Sequence, residues 1–372
     1  MVEAENPESA RWRGRAWVVT AYFAAFLAAV LAARLTNHTE ALWLSAVADI
    51  VATLVIFGFS AAFRNSSIYD PYWSVAPLAL LPYWIFWDGD LGNPGRQALV
   101  AAVLLLWGVR LTRNWLIGWP GLHHEDWRYR RLKRQSGLFY WPVSLLGIHL
   151  FPTVLVFLGM LPAWVAVTER APLNWLDGVA VLIGLLAIGT EATADRQLRR
   201  WKASGQPAGA VMEEGLWAWS RHPNYLGEIG LWFSMWLFAM ATRPTWIWTG
   251  IGVLAMALLF RFISIPMMEA HMLRRRPTYA QTLDRVPMLL PWFPRRRRDA
   301  HPDDLPVAEV QAADAELTDA TSEHDAEDAA ARVEPEAQIQ SEPPPASPPD
   351  DASPSEGAAP PEPKNDADGS AR

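Results

Sequence analysis

Eight consecutive positions, Arg221 to Glu228, read RHPNYLGE and place a guanidinium, an imidazole, an amide, a phenol and a carboxylate within reach of one another. Such a set suits a polar ligand. A guanidinium grips phosphate or carboxylate through a fork of N–H donors, and an imidazole binds or moves a proton. Pro223 fits the first turn of a helix, where its missing N–H costs nothing. On that helix Tyr225, Glu228 and Trp232 are spaced i, i+3, i+7 and share a face. Glu228 stands one turn inside an apolar run that continues to Ala239. An acid at that depth in a membrane is costly and points to function.

A second set lies upstream. Glu191, Asp195 and Arg199 are spaced i, i+4, i+8, either as an ion-pair ladder or as a ligand wall. Arg196, Arg199, Arg200 and Lys202, joined by Arg221, suit phosphate groups, and the helix starting near Pro223 adds its N-terminal dipole. Part of this cluster could instead follow anionic lipid heads. His222 either caps the helix or touches the ligand. Asp70 and Tyr72, in YDPYWS, read either as a helix start or as groups facing a site between spans. Asp49, His149, Asp177, Arg261 and Glu269 are polar groups in or at the ends of apolar runs, where helix-packing hydrogen bonds explain them as well as chemistry does. His123-His124-Glu125-Asp126 lacks histidines one helical turn apart, so no metal is expected.

The elements that must position these groups are membrane helices. Eight apolar runs qualify, at about 16–33, 41–63, 71–87, 97–116, 139–166, 173–190, 224–241 and 246–268. With the N-terminus in the cytoplasm, the external connections carry one base each: Arg34, Arg96, Arg170 and Arg243. The remaining bases of residues 1–298 fall on the cytoplasmic side, as the positive-inside rule requires. Both termini are then cytoplasmic, and the plasma membrane is the expected site. Residues 1–15 form a cytoplasmic N-terminus without the order of a cleaved signal peptide. The overall charge of −7 divides into +10 for residues 1–298 and −17 for 299–372. That tail has no aromatic residue and reads as disordered. The expected fold is therefore all-α: a polytopic membrane protein of about eight transmembrane helices, 16–298, with a disordered acidic C-terminal tail.

Other chemistries are excluded. The chain has no cysteine, hence no disulfide, thiolate metal site or cysteine nucleophile. It has no Gly-x-Gly-x-x-Gly, no Walker-type phosphate loop and no Gly-x-Ser-x-Gly elbow. The basic clusters lie beside spans and read as topology and lipid signals, so no nucleic acid is expected.

GLWAWSRHPNYLGE (215–228), EATADRQLRR (191–200), RLTRNW (110–115), HEDWRY (124–129), YDPYWS (69–74) and SIPMMEAHMLRRRPTYAQT (264–282) together resemble the steroid 5-alpha-reductase superfamily. The closer resemblance is to a bacterial multi-pass branch of unknown function grouped with those reductases. It implies an NADPH-dependent reductase of a carbon–carbon double bond conjugated to a carbonyl, in a lipophilic substrate that enters from the bilayer. Asp195, Arg199, Arg221, His222, Asn224, Tyr225 and Glu228 would bind the cofactor within 191–294. Tyr72 and Asp70, with Asp49, are the positional candidates for polarising the carbonyl. RHPNYLG also resembles isoprenylcysteine carboxyl methyltransferases, which bind S-adenosylmethionine; Glu269 and RRRPTY (274–279) match their later segment. A non-catalytic lipid-binding scaffold is the third reading. Substrate identity and oligomeric state are not legible.

Overall fold

The computed structural model describes residues 7–36, 40–87, 92–207 and 209–291. Among these every regular element is helical. The predicted tail, 299–372, lies outside the described residues.

In chain order the helices are α1 (Pro7–Leu35), α2 (Ala41–Ala62), α3 (Tyr72–Trp87), α4 (Pro94–Gly118), α5 (Trp127–Ser136), α6 (Tyr140–Ser144), α7 (Phe151–Thr168), α8 (Trp175–Ala203), α9 (Pro223–Thr242), α10 (Ile251–Leu259), α11 (Ile265–Arg275) and α12 (Tyr279–Arg285). Six helical stretches are long and apolar enough to cross a membrane. They begin at Glu8, Ala41, Pro94, Trp127, Trp175 and Pro244, and the chain is a multi-pass membrane protein. The other two predicted runs are helices as well. α3, at 16 residues, is short for a span, and α9 has the length but carries Glu228 among its apolar side chains.

Local sequence sets the helix ends. Asn93 accepts from the N–H groups of Gly95 and Arg96 and starts α4 at Pro94. Asn174 and Asp177 form a reciprocal capping box on α8. α8 has 29 residues and extends about 44 Å, well beyond an apolar core of about 30 Å. Its last turns therefore lie outside the apolar layer, and they carry Glu191, Asp195 and the basic residues. Two π turns interrupt the regular geometry. Leu145–Leu150 joins α6 to α7, and Phe260–Ser264 joins α10 to α11.

Lipid is as apolar as leucine, so close packing and polar contacts hold these helices together. α9 lies against α8 because Gly227 has no side chain. A Cβ there would meet the Ala187 carbonyl oxygen at 2.7 Å and Glu191 Cβ at 2.8 Å. Trp232 sits over Gly159 of α7 in the same manner. Trp84, Trp107, Trp232, Leu231 and Phe238 are fully buried between α3, α4, α7 and α9. Ser234 of α9 donates to the Ala180 carbonyl of α8 at 2.8 Å.

Candidate functional site

Glu228 is turned into the helix bundle and accepts two indole N–H groups, from Trp107 of α4 at 2.9 Å and Trp232 at 3.0 Å. The i, i+4 spacing explains Trp232; Trp107 arrives from a different helix. Beside it, Arg110 of α4 holds both acids of α8. Its Nη1 donates to Asp195 at 2.9 Å. Its Nη2 lies 2.6 Å from Glu191 Oε1 in an ion pair. Asn114, one turn on, also donates to Asp195 at 3.0 Å. The two acids thus pair across helices with Arg110, not along α8 with Arg199. Three carboxylates share this junction with one guanidinium. Arg110 Nε and Glu191 Oε2 are buried there without a hydrogen-bond partner, as is Asn224 Oδ1 four residues before Glu228 on α9. Arg196, Arg199 and Arg200 are exposed on the last turns of α8.

The RHP part of the motif makes a separate clasp. Arg221 Nε donates to Glu269 of α11 at 2.7 Å, and its Nη1 donates to the carbonyls of Leu283 and Val286 at 2.8 and 2.6 Å. The Arg221 N–H donates to the Pro287 carbonyl at 2.9 Å. His222 is the residue before α9; its Nε2 lies 3.1 Å from the same Glu269 oxygen. Its ring stacks on Tyr225, and Tyr225 stacks on Phe260 at 4.5 Å. Arg221 therefore spends its donors within the chain, holding the C-terminal segment over the start of α9.

The early helices carry the third group. Tyr72 Oη donates to Asp49 Oδ1 at 2.6 Å, and both residues are 5 % exposed. Asp70, the other predicted member, does not join them; it accepts from Tyr129 of α5 at 2.6 Å. Burial pushes the Asp70 carboxyl up to about 7, against the lowering effect of Arg128 and of the Tyr129 hydrogen bond. At the start of α5 the Trp127 ring stacks on His271 of α11 at 3.9 Å, so α5 ties the early helices to the C-terminal segment. Glu125, preceding α5, accepts the Ser66 N–H at 2.8 Å, and Asn65 donates to the carbonyls of Leu122 and His124. These bonds fix YDPYWS and HEDWRY against each other.

The family resemblance pointed to Asp195, Arg199, Arg221, His222, Asn224, Tyr225 and Glu228, with Asp70, Tyr72 and Asp49 as positional candidates. The structure distributes them over three groups: Asp195 and Glu228 with Arg110 and Trp107; Arg221, His222 and Tyr225 at the Glu269 clasp; and Tyr72 and Asp70 with different partners near the early helices, while Arg199 is exposed. Arg110, Trp107 and Glu125 were missed as site groups, since their partners lie on other helices.

A curated relative, "Uncharacterized protein C594.04c" of Schizosaccharomyces pombe, is 27% identical over 280 residues, covering 68% of this chain and 81% of its own length. No solved structure matches the chain. Residues 56–286, which include the predicted site residues other than Asp49, match the family described as "Protein of unknown function (DUF1295)", and the chain belongs to that family.

Proposed function

We propose that this protein is a membrane reductase acting on a carbon–carbon double bond conjugated to a carbonyl in a lipophilic substrate, with NADPH as the hydride donor. The observation that carries this reading is the buried Tyr72–Asp49 pair at 2.6 Å. With the Asp49 carboxyl protonated, it and the Tyr72 phenol each carry an O–H, and a carbonyl oxygen that displaces their mutual hydrogen bond accepts from both. That withdraws electrons from the β carbon and makes it electrophilic. With both groups 5 % exposed, substrate entry requires the contacts around Tyr72 to open toward the bilayer.

NADPH, when bound, supplies the hydride. The residues at the α4–α8–α9 junction fit such a ligand. Arg110 Nε offers a donor, and Glu191 Oε2 and Asn224 Oδ1 offer acceptors, none of them used within the chain; a carboxamide and ribose hydroxyls carry the complementary groups. The exposed arginines at the end of α8 suit phosphates. Glu228, held by two indoles, orients the polar part of the ligand and moves no proton in this scheme.

The convergence of Arg221 and His222 on Glu269 favours one alternative, an S-adenosylmethionine-dependent methyltransferase, because these are the residues that its motif pairs. Thermal unfolding of the detergent-purified protein with NADPH, NADH or S-adenosylmethionine decides between them. A ligand confined to the folded state at a hundred times its Kd stabilises by about 2.7 kcal/mol. The expected result is a shift with NADPH. A shift with S-adenosylmethionine alone would replace the reductase by the methyltransferase, and no shift with any ligand would leave a lipid-binding scaffold.

A further inference from the structure

Two hollows lie along one side of α8. Ile183, Leu186 and Thr190 face Leu226, Gly227 and Gly230 of α9 across an apolar groove of about 200 Å³. The glycines leave room for it; a Cβ on Gly230 would already stand 3.0 Å from Ala187 Cβ. Farther along α8, Gln197, Arg200, Trp201 and Ser204 line a cavity of about 320 Å³, bounded on its other side by Met212, Glu214 and Gly215. Ile183, Thr190, Gln197 and Ser204 repeat by seven, so they share a face that turns only about 20° per step. Between groove and cavity the Trp217 indole donates to the Ala194 carbonyl at 3.1 Å, and the Leu216 N–H donates to Gln197 Oε1 at 3.0 Å.

Depth and charge say what fits. Thr190 stands about 23 Å along the axis from Trp175, inside an apolar core of about 30 Å. Arg200 stands about 38 Å along it, past that core but within the roughly 40–45 Å that a bilayer measures with its headgroups. The groove is therefore at acyl depth and the cavity at headgroup depth. The cavity holds one cation and one anion, Arg200 and Glu214, and neither forms an ion pair among the described residues. A guanidinium suits a phosphate and a carboxylate suits an ammonium. Gln197, whose Oε1 serves the Leu216 N–H, keeps its amide N–H₂ for a phosphate oxygen. Arg276 lies over the Trp201 ring at 5.3 Å, so a quaternary ammonium does not gain that ring face as a partner. A primary ammonium, with three N–H donors for Glu214, is the better match.

The geometry points to a binding site for one ethanolamine-type phospholipid on this side of α8. Its phosphate meets Arg200, its ammonium meets Glu214, and one acyl chain lies in the groove between α8 and α9. The glycerol passes Trp217, an indole at the depth where membrane proteins concentrate such side chains. The site is on a different face of α8 from Glu191 and Asp195, which turn toward Arg110 of α4. It therefore does not depend on the reductase reading, and the lipid is a bound partner of the fold, not the substrate.

Native mass spectrometry tests this. Full-length protein, stripped of lipid in detergent, is titrated with palmitoyl-oleoyl phosphatidylethanolamine, phosphatidylglycerol or phosphatidylcholine, and bound lipids are counted. The first phosphatidylethanolamine is expected to bind at least tenfold more tightly than the first molecule of either other lipid. Arg200→Gln should lower that affinity at least tenfold. Glu214→Gln should abolish the preference over phosphatidylglycerol, because the ammonium loses its partner while the phosphate keeps Arg200. Leu186→Trp, at the exposed rim of the groove, should weaken all three lipids, and Leu182→Trp, exposed on α8 outside the groove, should weaken none. All four side chains are exposed, so the fold is not at stake in these variants. Equal first affinities for the three lipids would overturn the site, leaving only boundary lipid. A preference that survives both Arg200→Gln and Glu214→Gln would remove the headgroup from this cavity. Undiminished binding in Leu186→Trp would remove the chain from the groove.

Discussion

Arg96 and Arg110 stand fourteen residues apart on α4, about 21 Å along the axis. They face Asp177 and Glu191, also fourteen apart on α8. The same pairing thus occurs twice between the same two helices, with opposite outcomes. Arg96 has no exposed surface and is saturated. Its Nε and Nη2 fork onto Asp177 at 2.7 and 2.8 Å, and its remaining donors reach the carbonyls of Ala171 and Pro172. Asp177 is in turn fixed by the α8 capping box. Arg110 faces three acids, leaves its Nε without a partner, and retains 17 % of its side-chain surface. One end of the α4–α8 pair is locked by its own groups; the other leaves buried donors and acceptors for something else to meet.

The largest expected effect is at the locked end. Arg96→Met leaves Asp177 buried without its cation, and losing one partner of such a pair costs about 3–5 kcal/mol. Thermal unfolding in detergent should show it, and the folded fraction should bind NADPH with unchanged affinity. If Arg96→Met unfolds no more readily than Arg110→Met, the contrast between the two ends fails. Glu228→Gln comes next. Its amide N–H₂ would confront one of the two indole donors, leaving a buried N–H unmet at about 1–3 kcal/mol, together with weakened NADPH binding. Full retention of both stability and binding would remove Glu228 from the site. Arg110→Met uncovers one buried acid, Glu191, and one partly exposed one, Asp195, and Arg110 itself keeps 17 % of its side-chain surface, so its effect on stability should be smaller than that of Arg96→Met. It should weaken NADPH binding at least tenfold, about 1.4 kcal/mol, as read by titration calorimetry.

The mildest test is pH, at the Asp70–Tyr129 contact. Asp70 binds its proton more tightly folded, with a pKa near 7, than unfolded, near 3.8. Between those values the folded state holds more protons, so this group's contribution to stability is full below about pH 4 and is lost as pH rises toward 7. Asp70→Asn should flatten that part of the unfolding-temperature profile. An unchanged slope would assign it to another group.

Much of this was legible in the sequence where contacts run along one helix. Pro223 starts α9, and Glu228 bonds Trp232 across one turn, because i, i+4 neighbours are fixed by helical geometry. Contacts between helices were not legible. Asp70 and Asp49 stood side by side as candidates with Tyr72; only the fold pairs Tyr72 with Asp49, on the preceding helix, and Asp70 with Tyr129. Arg110 fell inside the predicted run 97–116 and in RLTRNW, but nothing in the sequence aimed it at the acids of α8. One signal was available: the equal spacing of Arg96 and Arg110 on one span and of Asp177 and Glu191 on another. Two parallel helices in register would bring such pairs together.

The π turns at Leu145–Leu150 and Phe260–Ser264 bear on how this chain can vary over descent. A π turn takes up one extra residue locally, so the regular helices on its two sides keep their faces. Each is thus a place where a lineage can gain or lose a single codon without re-registering a transmembrane helix. A relative lacking one residue between 145 and 150 should still align with α7 and still seat Trp232 over its counterpart of Gly159. It would lose the widened turn that brings His149 to the Ser144 carbonyl. Length differences of one residue at these two places, and not elsewhere in the spans, are what such a history would leave behind.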